Sequence, residues 1–255
     1  MLKEDRLNYI VEEVNHYGHI KVTDIIDQLH VSDMTIRRDL DELEKRGQLR
    51  RVHGGAVSLN DYPNKELSHR DKKIINIDLK KAAARAALPY LKPGETIFLG
   101  PGTTMEIFAS MMDDMDLRVV TNCLPVFKTL NEKSKQMKLY LVGGEMRKIT
   151  ESFHGSITNA ALASINFHKA FVSCNGLNNS DIMTATFEEG NAQKIALNNS
   201  TERYLIIDSS KIDKRDFYTY YKLEDITKVF IDHNEPLIRP LEASTKIESG
   251  EVEDN

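Results

Sequence analysis

The chain has 255 residues, 40% of them hydrophobic and 29% charged, with a net charge of −5. That length accommodates one small and one medium domain. No run approaches the roughly 18 apolar residues of a bilayer span, so no membrane partner is expected. The acidic balance argues against non-specific coating of nucleic acid but leaves room for a local basic face.

The first residues mix charges without an apolar stretch, and no secretory signal is expected. Leu7, Ile10, Val11 and Val14 recur at helical spacing, which predicts a first helix to about Tyr17, ended by Gly18. Ile20 and Val22 form a short extended piece, and Ile25, Ile26 and Leu29 mark a second helix. Ser32 is a suitable N-cap for a third helix that buries Ile36, Leu40 and Leu43 and ends at Gly47. Thr35, Arg37, Arg38 and Asp41 fall off that buried stripe. A short helix, a tight turn and a second helix with Arg and Thr near its start is the layout of a DNA-reading helix-turn-helix. Residues 48–57 then read as a β-hairpin wing around Gly54-Gly55, with Arg50, Arg51 and His53 near the phosphate backbone. The expected DNA contacts are therefore Ser32, Thr35, Arg37, Arg38, Arg50, Arg51 and His53, in a domain of residues 1–58. Acids are also abundant here (Glu12, Glu13, Asp39, Asp41, Glu42, Glu44), so affinity must come from a focused face.

Residues 59–77 are polar, include Pro63 and show no clear periodicity, and are read as a linker. Leu79, Ala82, Ala83, Ala86 and Ala87 predict a helix that stops at Pro89. Short apolar runs follow at 96–99, 117–120, 138–142, 170–172, 204–207 and 229–231, with helical stretches at 105–112, 125–132 and 187–198. That alternation predicts a mostly parallel sheet covered by helices, over residues 78–241. Ligands of such sheets bind beyond the carboxyl ends of the strands.

Five loops lie there. Gly100-Pro101-Gly102-Thr103-Thr104, between a strand and a helix, offers close backbone approach, hydroxyls and helix-start N–H groups to a phosphate. It lacks the Gly-Lys-Thr core of a nucleotide P-loop. Asn122 either bonds a sugar hydroxyl or caps the next helix. In Gly143-Gly144-Glu145-Met146-Arg147, Glu145 can accept from hydroxyls and Arg147 can pair with a phosphate. Asn175 and Lys211 stand in the last two loops. Cys123 and Cys174 are far apart beside apolar segments, fitting reduced thiols of a cytoplasmic protein. Neither forms a relay or metal-ligand spacing with His154, His168 or His233, so no metal, cofactor or catalytic residue is expected. Residues 242–255 are acidic and polar and are expected to be disordered.

Arg6, Ile10, Val14, Ser32, Thr35-Ile36-Arg37-Arg38-Asp39-Leu40 and His53-Gly54-Gly55-Ala56 resemble the signature of the DeoR family of bacterial regulators. In the second half Gly102-Thr103-Thr104, Thr121-Asn122, Gly143-Gly144, Gly155, Phe171, Gly176 and Ser210-Lys211 resemble its sensor domain, which implies a fold related to ribose-5-phosphate isomerase. The resemblance covers nearly the whole chain. The stretches 100–104, 121–126 and 143–151 look most like members that repress lactose and galactose catabolic genes of the tagatose-6-phosphate pathway. What that implies is a DNA-binding repressor released from operator DNA by tagatose 6-phosphate. Effector contacts would come from Gly100, Gly102, Thr103, Thr104, Asn122, Gly144, Glu145, Arg147, Asn175 and Lys211. Many relatives carry an acid where Gly100 stands, which implies different sugar contacts. The related isomerases place acids near Asn175, and an amide cannot act as a general base. Glu188 and Glu189 are read as a pair favoured by a helix N-terminus. A homo-oligomer, dimer or tetramer, is expected because two linked heads gain effective concentration on a two-fold operator. The alternatives are an isomerase-like enzyme and an activator with another phosphosugar effector.

Overall fold

The computed structural model describes residues 3–17, 19–52, 54–59, 66–238, 241–242 and 245–252. The chain divides into two units, Met1–Leu67 and Ser68–Asn255. Gly18 and His53 lie outside the described residues.

In the first unit, helix α1 (Lys3–Tyr17) leads through strand β1 (His19–Lys21) into α2 (Val22–Leu29) and α3 (Asp33–Lys45). Strands β2 (Leu49–Val52) and β3 (Gly55–Ser58) follow. Leu7, Ile10 and Val14 of α1 meet Ile25 of α2 and Ile36, Leu40 and Leu43 of α3 in one core. β3 lies between β1 and β2 in an antiparallel sheet, so the hairpin is fastened to the helices through β1.

The second unit begins earlier than sequence periodicity suggests. Residues 68–77, read as linker, fold: Ser68 caps helix α4 (His69–Lys73) in a capping box with Asp71. A five-residue helix that buries only His69 is too short to show a periodic pattern. Next come α5 (Ile77–Ala87), β4 (Thr96–Leu99), α6 (Thr103–Met111), β5 (Arg118–Thr121), α7 (Leu124–Lys133) and β6 (Lys138–Leu141). A small hairpin of β7 (Glu145–Arg147) and β8 (Ser152–His154) precedes α8 (Ser156–Ala163) and β9 (Phe167–Val172). β10 (Gly176–Asn178), β11 (Asp181–Thr184), α9 (Phe187–Asn198), β12 (Ser200–Ile206), β13 (Tyr218–Lys222), β14 (Lys228–Asp232), α10 (Glu235–Ile238) and β15 (Ile247–Gly250) complete it.

The six predicted strands are β4, β5, β6, β9, β12 and β14, and they pair in parallel as expected. The order is β15-β14-β12-β9-β4-β5-β6. Alternate residues feed two cores, as the two-residue strand repeat requires. Ile97, Leu99, Phe171, Tyr204 and Phe230 face α5, α6 and α7. Phe98, Ala170, Val172, Leu205 and Val229 face α8, α9 and the small sheet β10-β11-β13. The tail departs from expectation: β15 adds a parallel edge strand beside β14. Lys228 holds Glu248 at 2.8 Å, so this acid is paired rather than solvating a loose tail.

Candidate functional site

Two faces carry chemistry, one in each unit. On α3 the Ser32 side chain accepts from the Thr35 backbone N–H, and the two hydroxyls lie 2.8 Å apart. Ser32 therefore shapes the helix start as well as facing solvent. Arg37 and Arg38 are exposed. Arg37 Nε donates to Asp33 at 2.6 Å, one turn back, which holds the guanidinium along the helix and raises its pKa. Arg51 pairs with Asp41, and its backbone N–H donates to Glu44. Arg38 and Arg50 are exposed and have no carboxylate partner among the described residues. They are the uncommitted cations of this face. Beneath it Arg6 grips Asp39 with Nε at 2.5 Å and Nη2 at 3.1 Å, and Asp39 is buried. This ion pair locks α1 to α3 and fixes the angle at which α3 is presented.

In the second unit the chain runs from β4 towards β5 and β6 on one side, and from β9 towards β12, β14 and β15 on the other. The loops after β4 and β9 thus flank the point where the strand order reverses, where crevices of such sheets form. Gly100 is buried, and its N–H donates to Phe171 O at 2.9 Å. Gly102 caps α6 with its backbone alone, so the first N–H groups of that helix receive no side chain. Thr103 and Thr104 are buried. Lys80, from α5, reaches Thr103 Oγ1 at 3.0 Å and Lys72 O at 2.6 Å. Lys72 Nζ donates to Asn175 Oδ1 at 3.2 Å, and Asn175 Nδ2 donates to Asp216 at 2.7 Å. Burial, then the charges of Lys211 and Lys72, push the Lys80 ammonium down to about 8. The structure thus brings Thr103, Asn175 and Lys211 together around two lysines that sequence reading passed over.

The other expected effector residues are differently employed. Arg147 is paired with Glu189 at 3.4 Å. Glu189 is buried and also accepts from Thr150 at 2.5 Å and Ser152 at 3.1 Å. It is therefore more than a helix-dipole acid: it ties the β7–β8 hairpin to α9. Glu145 is exposed on that hairpin. Gly144 sits at φ +156°, and a Cβ there would come within 2.1 Å of Thr158 Oγ1, so its role is close packing. Asn122 is buried with Nδ2 on Phe153 O at 2.8 Å, while its Oδ1 has no partner among the described residues. Cys123 and Cys174 are buried thiols pushed up to about 12 by desolvation, which rules out a thiolate nucleophile at neutral pH.

A cleft of about 350 Å³ opens beside α4, α6 and α7. Arg70, Lys73 and Lys128 line it against Glu106, Glu132 and Glu151, so its charges largely cancel. None of the effector residues expected from sequence lines it. α4 is bonded to the turn between β7 and β8, with His69 N–H on Ile149 O at 2.7 Å.

Comparison with known proteins matches both units. Residues 6–61 match the DeoR-like helix-turn-helix domain, and residues 75–233 match the DeoR C terminal sensor domain. A lactose phosphotransferase system repressor of Streptococcus mutans is 48% identical over 91% of this chain and 93% of its own length. One from Staphylococcus epidermidis is 44% identical over 98% of both chains. Among solved structures, ribose 5-phosphate isomerase A of Methanocaldococcus jannaschii aligns over 54% of this chain and 55% of its own, at 17% identity and a TM-score of 0.39. With both units matched and relatives of this identity along nearly its whole length, the chain belongs to the DeoR family.

Proposed function

We propose that the chain is a DNA-binding repressor of lactose and galactose catabolic genes that a phosphorylated sugar, tagatose 6-phosphate, releases from its operator. The support for the gene class is the 44–48% identity to lactose phosphotransferase system repressors, spanning both units. The observation that carries DNA reading is the α3 face, where Thr35, Arg37 and Arg38 project from a capped helix of major-groove width. Arg50 on the wing adds a phosphate contact, and Ser32, Arg51 and the undescribed His53 complete the expected set. The effector binds at the ends of β4, β9 and β12, with Gly100, Gly102, Thr103, Thr104, Asn175 and Lys211 around it. Catalysis is not part of this function. Asn175 has no ionisable group to take a proton, and its amide is held by Asp216.

Release follows from linkage. The effector must bind the operator-free arrangement of a homo-oligomer more tightly than the operator-bound one. A hundredfold preference supplies about 2.7 kcal/mol per site, so several subunits act together. Replacing Arg37 and Arg38 together by alanine removes two cationic contacts. Gel-shift titration against promoter DNA of the lactose genes is expected to show at least about a hundredfold loss of affinity. Sugar-phosphate binding by the same variant stays as in the parent. Operator binding that survives the double replacement contradicts the assignment of α3.

A further inference from the structure

We infer that the sugar end of the effector is read by Gln193 and Asn122, whose side-chain carbonyls stand beside Gly100 and accept hydrogen bonds from its hydroxyls. This rests on the strand-end reading above and adds the residues that decide which phosphorylated sugar is accepted.

Two buried amides at the strand ends lack a donor. Gln193 is 2% exposed and Asn122 is 1% exposed, and neither Gln193 Oε1 nor Asn122 Oδ1 has a hydrogen-bond partner among the described residues. A buried carbonyl in that state has given up its bonds to water for nothing in return. A ligand that brings hydroxyls removes the cost.

The two amides reach the same place from different elements. β4 and β5 pair through Leu99 and Thr121, so Gly100 and Asn122 are the next residues on neighbouring strands, whose spacing is about 5 Å. Asn122 Nδ2 donates to Phe153 O at 2.8 Å, which turns Oδ1 away from that carbonyl. Gln193 comes from α9, and its Oε1 lies 3.3 Å from where a Cβ on Gly100 would stand. That Cβ would also lie 3.3 Å from Val172 Cγ1, so glycine keeps the approach to Gln193 open.

The chemistry of the pair selects its ligand. One turn earlier on α9, the Glu189 carboxylate is already engaged by Arg147, Thr150 and Ser152. The acceptors left over are uncharged, and a neutral carbonyl suits a hydroxyl donor, whereas an ammonium group is better held by a carboxylate. The ligand class at this end is therefore a polyhydroxylated carbon chain. A buried acceptor also discriminates: a sugar without the matching hydroxyl leaves it unpaired and binds more weakly.

Calorimetric titration of the full chain tests this, with tagatose 6-phosphate and with deoxy derivatives that each lack one of its hydroxyls. The parent is compared with Gln193→Met, Gly100→Ala and Lys194→Met. Methionine keeps the length of glutamine and removes the acceptor, while the Gly100 variant sets a methyl group against the same oxygen. Lys194, the next residue of α9, is exposed, and its variant is the control. The parent and Lys194→Met are expected to bind tagatose 6-phosphate alike and to bind at least one deoxy derivative about tenfold more weakly. Gln193→Met is expected to bind tagatose 6-phosphate about tenfold more weakly than the parent and to lose its preference over that derivative. A change in packing alone would weaken both sugars and keep the preference. Parent-like affinity in Gln193→Met, or an undiminished preference, overturns the inference and leaves the strand-end reading in place. If Gln193→Met does not fold, Gly100→Ala decides alone: binding about tenfold weaker supports the inference and parent-like binding overturns it. A parent chain that does not bind tagatose 6-phosphate defeats the strand-end reading and this inference together.

Discussion

Two charged residues sit on the apolar stripes of their helices. Asp39 lies with Ile36, Leu40 and Leu43 on the buried side of α3, and Lys80 lies with Ala83, Ala84 and Ala87 on that of α5. The spacing that identifies the stripe holds in both cases, and only charge hides them from a reading by hydrophobicity. Asp39 is satisfied by Arg6, whereas Lys80 has only neutral hydrogen-bond partners among the described residues. The difference has a pH signature. Lys80 is pushed down to about 8 from the ordinary lysine value of 10.5, mainly by burial. Below pH 8 it is charged in folded and unfolded chains alike, and the burial cost is fully present. Between about 8 and 10.5 the folded chain gives up the proton first, so this residue makes stability rise with pH. The gain is bounded by about 3 kcal/mol. Urea midpoints from pH 7 to 10 are expected to show Lys80→Met losing that rise relative to the parent, and equal pH slopes would contradict it.

At the scale of elements, what was legible follows from what each element buries. β4, β5, β9, β12 and β14 are buried over most of their length and read as apolar runs. The edge strand β6 alternates between exposed and half-buried positions yet still carries Leu139, Tyr140 and Leu141. α4 and β15 escaped notice because they are short and polar, and each is held by specific bonds rather than by an apolar face. α4 depends on its capping box and Glu106, and β15 on the β14 ladder and the Lys228–Glu248 pair. Gly250 marks how closely β15 approaches α5: a Cβ there would come within 2.0 Å of Ala82 O. Gly250→Ala should therefore lower stability by about 1–3 kcal/mol in chemical unfolding, as overpacking does. A variant as stable as the parent would mean that the tail strand does not dock as described.

For the molecule as a whole, the sequence made the division of labour plain and the site only partly so. Loops at strand ends are recognisable from glycines and hydroxyls, which pointed to Thr103, Asn175 and Lys211. Which cations serve an anion depends on who else claims them, and that is a matter of distant contacts. Arg147 is claimed by Glu189, forty-two positions along the chain, while Lys72 meets Asn175 from a segment read as linker and Lys80 meets Thr103 from an alanine-rich helix. The account as a whole stands on one coupling, between a phosphorylated sugar at those strand ends and the affinity of α3 for DNA. The most direct measurement is fluorescence anisotropy of labelled lactose-gene promoter DNA with the full chain, titrated with tagatose 6-phosphate and, separately, with tagatose. The account predicts that the phosphorylated sugar releases the DNA and the plain sugar does not, and that Thr103→Ala combined with Thr104→Ala leaves the complex intact at the same concentrations. DNA binding that tagatose 6-phosphate leaves unchanged in the parent chain would contradict it.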